Sequence, residues 1–155
     1  MRRICLGLAV AAVASSGCSR APQSRVTAIE ARIDGITCPT CVPPLKASLK
    51  RQYAASTVEV DDTKNTATVR FTSNDRFTPA EFRAAVERVR MRVVTFSMEA
   101  CGTVEAAVGG MWLAVGSDRF LVRSDRDLPL NKPICAEGTL DTRGDLSTFQ
   151  VRSFK

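Results

Sequence analysis

The feature that most constrains the fold of this chain is a repeated change of hydrophobic period. Between residues 29 and 98 apolar and polar residues alternate, except in two stretches introduced by proline, where apolar residues recur every three or four positions. Ile29, Ala31 and Ile33 alternate with Glu30, Arg32 and Asp34. Val58 and Val60, then Ala67, Val69 and Phe71, alternate on either side of the polar turn Asp62-Thr63-Lys64-Asn65, as a hairpin would. Val94, Phe96 and Met98 are placed on one face of a last alternating run. Among these, Leu45, Leu49 and Tyr53 follow Pro43-Pro44 at helical spacing. Phe82, Ala85, Val86 and Val89 follow Thr78-Pro79-Ala80-Glu81, a capping box with proline at the first helical position. The predicted order is strand (26–33), helix (from Pro43 or Pro44 to about 53), strands (57–61 and 66–72), helix, strand (92–98).

The chemistry concentrates in the loop between the first strand and the first helix, Gly35-Ile36-Thr37-Cys38-Pro39-Thr40-Cys41. Two thiols two residues apart at such a junction can converge on one soft metal ion, close a disulfide, or exchange with another disulfide. A helix N-terminus favours the thiolate that each of these needs. The chain has no histidine, which removes the commonest general base and the commonest metal ligand. With no zinc-protease helix and no phosphate loop either, no catalytic residue is assigned and the chain is not read as an enzyme.

This loop resembles the Gly-Met-Thr-Cys-x-x-Cys loop of heavy-metal-associated domains. That family includes copper chaperones, the N-terminal modules of metal-exporting ATPases and the periplasmic mercury-binding protein of mercury-resistance systems. The resemblance spans about residues 26–98. It implies an α+β class with a ferredoxin-like βαββαβ domain, and Cys38 and Cys41 as metal ligands. Thioredoxin-like enzymes also carry Cys-x-x-Cys at a helix start, but no aromatic residue precedes Cys38 and the strand order differs.

Two thiolates without histidine suit linear or trigonal Cu(I) first and Hg(II) second. Zn(II) fits less well because it would want two further ligands. Zinc-handling members of the family tend to carry an acidic residue beside the first cysteine; here that neighbour is Thr37, and Asp34 is four residues away. In the fold that the resemblance implies, Arg90, Met91 and Arg92 approach the cysteine loop. They read first as a solvated basic helix end; the alternatives are a cation that offsets the charge of a bis-thiolate Cu(I) complex, or Met91 as a soft third ligand.

The N-terminal stretch is set apart from the fold. Arg2-Arg3 is a positive n-region, residues 4–14 are apolar and uncharged, and Ser15-Ser16-Gly17-Cys18 is a small-residue cleavage site. Cys18 after a small residue resembles the lipobox of bacterial lipoproteins, in which that cysteine is lipidated, although Ser15 stands where leucine is usual. An ordinary signal peptide is the alternative. The expected organisation is a signal peptide (1–17), a tether (18–25), a heavy-metal-associated domain (26–100) and a small β-domain (101–155). The implied location is the bacterial envelope, lipid-anchored and facing the periplasm.

Removal of Arg2 and Arg3 lowers the formal charge from +6 to +4. With no aromatic interleaving among the basic residues, no nucleic-acid partner is read from it. Six cysteines are present. Cys5 leaves with the signal and Cys18 is assigned to lipid, so the rest divide into the reactive pair Cys38 and Cys41 and the pair Cys101 and Cys135, read as a structural disulfide with a second metal pair as the alternative.

Past Cys101 the pattern changes to short apolar runs (104–108, 111–115, 120–123, 134–140 and 148–154) separated by Gly109-Gly110, Gly116-Ser117-Asp118 and Arg143-Gly144-Asp145. These runs predict a small all-β domain, a barrel or roll of OB-like kind, with Met111 and Trp112 in its core. Residues 125–133 have room for one helical turn.

The expected function is that of an envelope lipoprotein that binds a soft metal ion through Cys38 and Cys41 and delivers or sequesters it by ligand exchange. The expected partners are the metal ion, a metal-transporting membrane protein or another metal carrier, and the membrane through the lipid anchor. The alternatives are an envelope thiol–disulfide oxidoreductase using the same pair, and an interaction module that uses no metal.

Overall fold

The computed structural model describes residues 23–72, 75–144 and 146–155. The signal-peptide reading of 1–17, the lipidation reading of Cys18 and most of the tether lie outside the described residues. The elements are β1 (Arg25–Asp34), a 3-10 turn (Pro39–Cys41), α1 (Val42–Gln52), β2 (Thr57–Asp61), β3 (Thr66–Arg70), α2 (Pro79–Glu87), β4 (Arg92–Ala107), β5 (Gly110–Val115), β6 (Asp118–Ser124), β7 (Pro133–Asp141) and β8 (Thr148–Phe154).

The expected fold class is corrected. The described strands form one eight-stranded mixed sheet in the order β2-β3-β1-β4-β5-β6-β8-β7 with only two α-helices, not a ferredoxin-like βαββαβ domain followed by a separate all-β, OB-like domain. β4 is the reason. It runs unbroken from Arg92 to Ala107, across the boundary expected at 100–101. One edge pairs with β1 as far as Cys101 and with β5 from Thr103; the other pairs with β7 from Phe96 to Thr103. The alternation that marks a strand fails at Ala100, Cys101 and Gly102, which are all buried, so the sequence there reads as the end of an element. Gly102 sits where one edge passes from β1 to β5, and a Cβ there would run into the Ala114 carbonyl oxygen.

Because β7 also pairs with β4, the strands β4, β5, β6, β8 and β7 close into a ring in which β6 and β8 are parallel. No helical turn forms at 125–133. α1 and α2 pack against the sheet through Leu45, Leu49, Phe82, Ala85 and Val86, all fully buried. The Ser48 hydroxyl joins the two helices by donating to the Ala85 carbonyl at 2.6 Å. Phe96 stacks edge-on to Phe77 and Phe82, tying β4 to the helix layer.

Thr78 is the N-cap of α2, but its side chain makes no capping bond, so the predicted capping box places the helix start without forming. Burial pushes the Tyr53 phenol far above its ordinary pKa, Glu81 adds to the shift, and the Thr78 backbone amide works against it. Two arginines reach from the helix layer to the ring. Arg76 Nε donates to Asp118 at 3.0 Å, and Arg83 Nη2 donates to the Thr142 hydroxyl at 2.5 Å. One hydrophobic cluster runs from Val26 through Phe82 and Phe96 to Val151.

Cys101 and Cys135 face each other across the β4–β7 pairing and are joined by a disulfide 34 residues apart in sequence. The crosslink clasps the seam at which the ring closes. On the chain-entropy estimate, a loop of this length gives about 3–4 kcal/mol. The Cys101→Ala, Cys135→Ala variant is expected to lose stability on that scale in equilibrium urea unfolding with Cys38 and Cys41 kept oxidised. A loss below about 1 kcal/mol would show that the ring holds its seam without the clasp.

Candidate functional site

The cysteine loop leaves β1 at Gly35, whose φ of +108° lies in a region that residues with a Cβ rarely adopt. A Cβ there would also press on Met91, whose Cγ is 3.2 Å from the position it would take. Ile36 is buried and anchors the loop in the core, while Thr37 is exposed. Cys38 is the N-cap of the 3-10 turn, Pro39 takes its first position, and the Cys41 amide closes it on the Cys38 carbonyl at 2.9 Å.

The chain then passes directly into α1, so Cys41 is the residue at which the helix begins. The first turn of α1 carries no acidic residue, and its last turn carries Lys50 and Arg51. The positive end of the helix is therefore free to act on the sulfurs.

Cys38 and Cys41 are joined as a disulfide, with Cα atoms 5.3 Å apart. Cys38 is half-buried, and Cys41 packs against the core. The Thr40 hydroxyl lies 3.1 Å from the Cys38 sulfur, and the Thr37 hydroxyl 4.0 Å from the Cys41 sulfur. Once reduced, the pair offers two thiolates with a hydroxyl beside each. Among the described residues no group of three or more His, Cys, Asp or Glu side chains is placed to hold a metal ion. When reduced, the two sulfurs alone could hold only an ion content with few soft ligands.

The surroundings place the other predicted residues. Arg92 pairs with Asp34 at 3.0 Å at the base of the loop, and both are largely exposed, so the pair adds little stability. Arg90 adopts a left-handed conformation just past α2, its amide bonded to the Glu87 carbonyl. Met91 is buried beneath Gly35, a packing residue of the loop. Met111 and Trp112, expected in the core, are only half-buried on β5, and Arg119 lies over the indole at 5.7 Å.

Val94 departs from the predicted alternation. The pairing of β1 with β4 shifts register between Arg32 and Ile33, so Val93 turns inward and Val94 outward, 52% exposed. A bulge leaves no mark on a strict period-two reading, which put Val94 on the face of Phe96 and Met98. The Thr40 contact was also missed. Its signal was present, a hydroxyl between two cysteines at a helix start.

No protein-family model matches the chain, and no curated protein or solved structure matches it either. Among the described residues, no helix is long and apolar enough to cross a membrane.

Gly35→Ala is expected to destabilise the protein by about 1–3 kcal/mol, because the new Cβ meets both the unfavourable φ and Met91. Urea unfolding of Gly35→Ala in the Met91→Ala background, set against Met91→Ala alone, would separate the two causes. Relief in the double variant assigns the cost to Met91, and no relief assigns it to the backbone.

Proposed function

We propose that this chain binds a soft metal ion, Cu(I) before Hg(II), through Cys38 and Cys41 and passes it on by ligand exchange. One observation carries the reading. Two sulfurs stand together at the solvent-reachable start of α1, with no third ligand from His, Cys, Asp or Glu among the described residues. Such a donor set holds an ion that accepts two or three ligands and disfavours Zn(II), which prefers four.

Loading requires the disulfide to be opened first. A partner dithiol supplies the two electrons and two protons, closing to its own disulfide as this one opens to two thiols, and binding of one ion then displaces the protons. Low coordination leaves room for an incoming thiolate, which is what delivery to a metal-transporting membrane protein or another carrier would use.

The second reading, a thiol–disulfide oxidoreductase, is favoured by the closed Cys38–Cys41 bond and by the Thr40 hydroxyl beside the Cys38 sulfur. In that case the same pair would take two electrons from a partner dithiol or pass them to a partner disulfide, with no metal involved. The two readings part on one measurement. Reduced protein is expected to retain one Cu(I) or Hg(II) against a strong chelator. Cys38→Ser and Cys41→Ser should each abolish retention, and the Cys101→Ser, Cys135→Ser variant should keep it. Tight Zn(II) with weak Cu(I), or unchanged Cu(I) affinity in Cys38→Ser, Cys41→Ser, would overturn the metal reading.

We further propose that the protein works in the bacterial envelope, anchored through lipid on Cys18 and facing the periplasm. The support is the succession of charged, apolar and small residues ending at Cys18. Cys18→Ser is expected to lose acylation and membrane association on fractionation. Unchanged processing and association would remove the anchor from the proposal.

A further inference from the structure

β7 meets β4 at Phe96, two residues beyond the bulge at Val94, so the turn that follows β7 is carried to the cysteine end of the sheet. Val94 lines two shallow clefts. One, of about 320 Å3, runs along Arg32, Asp34 and Thr37 of the cysteine loop. The other, of about 110 Å3, is bounded by Arg83, Thr142 and Arg143. An exposed valine thus forms the ridge between the cysteine loop and a turn from the far half of the chain.

The charge around this ridge is mainly positive. Arg32, Arg83, Arg92 and Arg143 stand against Asp34 and Asp141. Arg143 hydrogen-bonds Asp141 and holds its carboxyl down at about 2, so the turn keeps that carboxylate ionised. The Arg143–Asp141 pair is largely exposed, with side chains 87% and 48% accessible, so a competing carboxylate can displace it cheaply.

The exposed large apolar residues among those described are Val94, Val108, Leu130 and Leu146. α1 also flanks the cysteine loop and is basic, but it presents none of them. Among the described residues, only the Val94 ridge sets an exposed large apolar side chain among cations beside the loop.

We propose that the Val94 ridge and its two clefts are a docking surface for an acidic protein partner that presents an apolar residue to Val94 while it faces the cysteine loop. A second copy of this chain is disfavoured as the occupant, because a self-complementary contact would set the same guanidinium groups against each other. The proposal gives the far half of the chain a task, that of selecting what approaches the thiols. Its purpose rests on the metal-exchange reading, but the surface can be tested without metal.

The probe is a decapeptide of Asp and Glu with one central Leu, titrated into the isotope-labelled oxidised chain and followed by amide chemical shifts. The largest changes are expected at Thr37, Val94, Thr95 and Thr142. Val94→Ser and Arg143→Glu should each weaken binding by about twofold to fivefold, the scale of one exposed charge pair or one small apolar contact. Neither should alter retention of Cu(I) by the reduced protein.

Changes centred on Lys46, Lys50 and Arg51 of α1, no change at about millimolar peptide, or self-association that protects Val94 would each overturn the proposal. If the peptide maps to Val94 while the reduced protein fails to retain Cu(I), the docking surface stands and the metal reading falls.

Discussion

The backbone of β4 has three partners for two edges. β1 occupies one edge up to Cys101, β5 takes that edge over from Thr103, and β7 lies along the other edge from Phe96 to Thr103. Buried amides and carbonyls must find partners, and a long strand in the middle of a molecule can meet that demand only by changing neighbours along its length. Gly102 makes the change of neighbour sterically possible, and the Cys101–Cys135 bond locks the opposite edge at the same level. The helix layer rests on one half of β4 and the ring closes on the other. Neither half has a complete sheet without that strand.

The cysteine loop inherits its shape from the same arrangement. Gly35 turns the chain off β1 above Met91, which stands immediately before β4, so the start of β4 supports the turn. Ile36 pins one side of the loop in the core and Cys41 the other. On the proposed reading, the loop must hold two sulfurs close enough to share an ion while leaving them reachable. A single 3-10 turn does this because it places Cys38 at its entrance and Cys41 at the start of α1. The same closeness lets the sulfurs bond to each other, so metal capture and disulfide formation compete for one geometry.

Much of the element order was legible in the sequence because local periodicity records which face of each element is buried. Ile29, Ala31 and Ile33 mark β1 correctly, and Phe82, Ala85 and Val86 mark α2. What failed was the assembly. The boundary expected at 100–101 came from the change to short apolar runs and Gly-rich turns past Cys101, yet β4 continues through Ala100, Cys101 and Gly102, which are all buried. Nothing local distinguishes that situation from the end of a strand. Val94 was misplaced because a bulge offsets the pattern by one residue. The approach of Thr142 and Arg143 to the cysteine end depends on pairing between β4 and β7, a contact between distant parts of the chain. The place of the two cysteines at a strand–helix junction was legible, since it is specified by neighbours in sequence, but the bond between their sulfurs was only one of the outcomes left open there.

Arg25 pairs with Cys101 at one end of β1, and the cysteine loop leaves the other end just past Asp34. Ten residues of extended strand hold the two sulfur pairs roughly 30 Å apart. At that separation neither pair can attack the other, so electrons delivered to one have no covalent path to the second. Two oxidised bonds in one small protein therefore behave as independent reservoirs, each with its own potential and its own access to solvent. A species with the loop open and the ring still clasped can persist as a defined chemical state, and intramolecular reshuffling cannot scramble it.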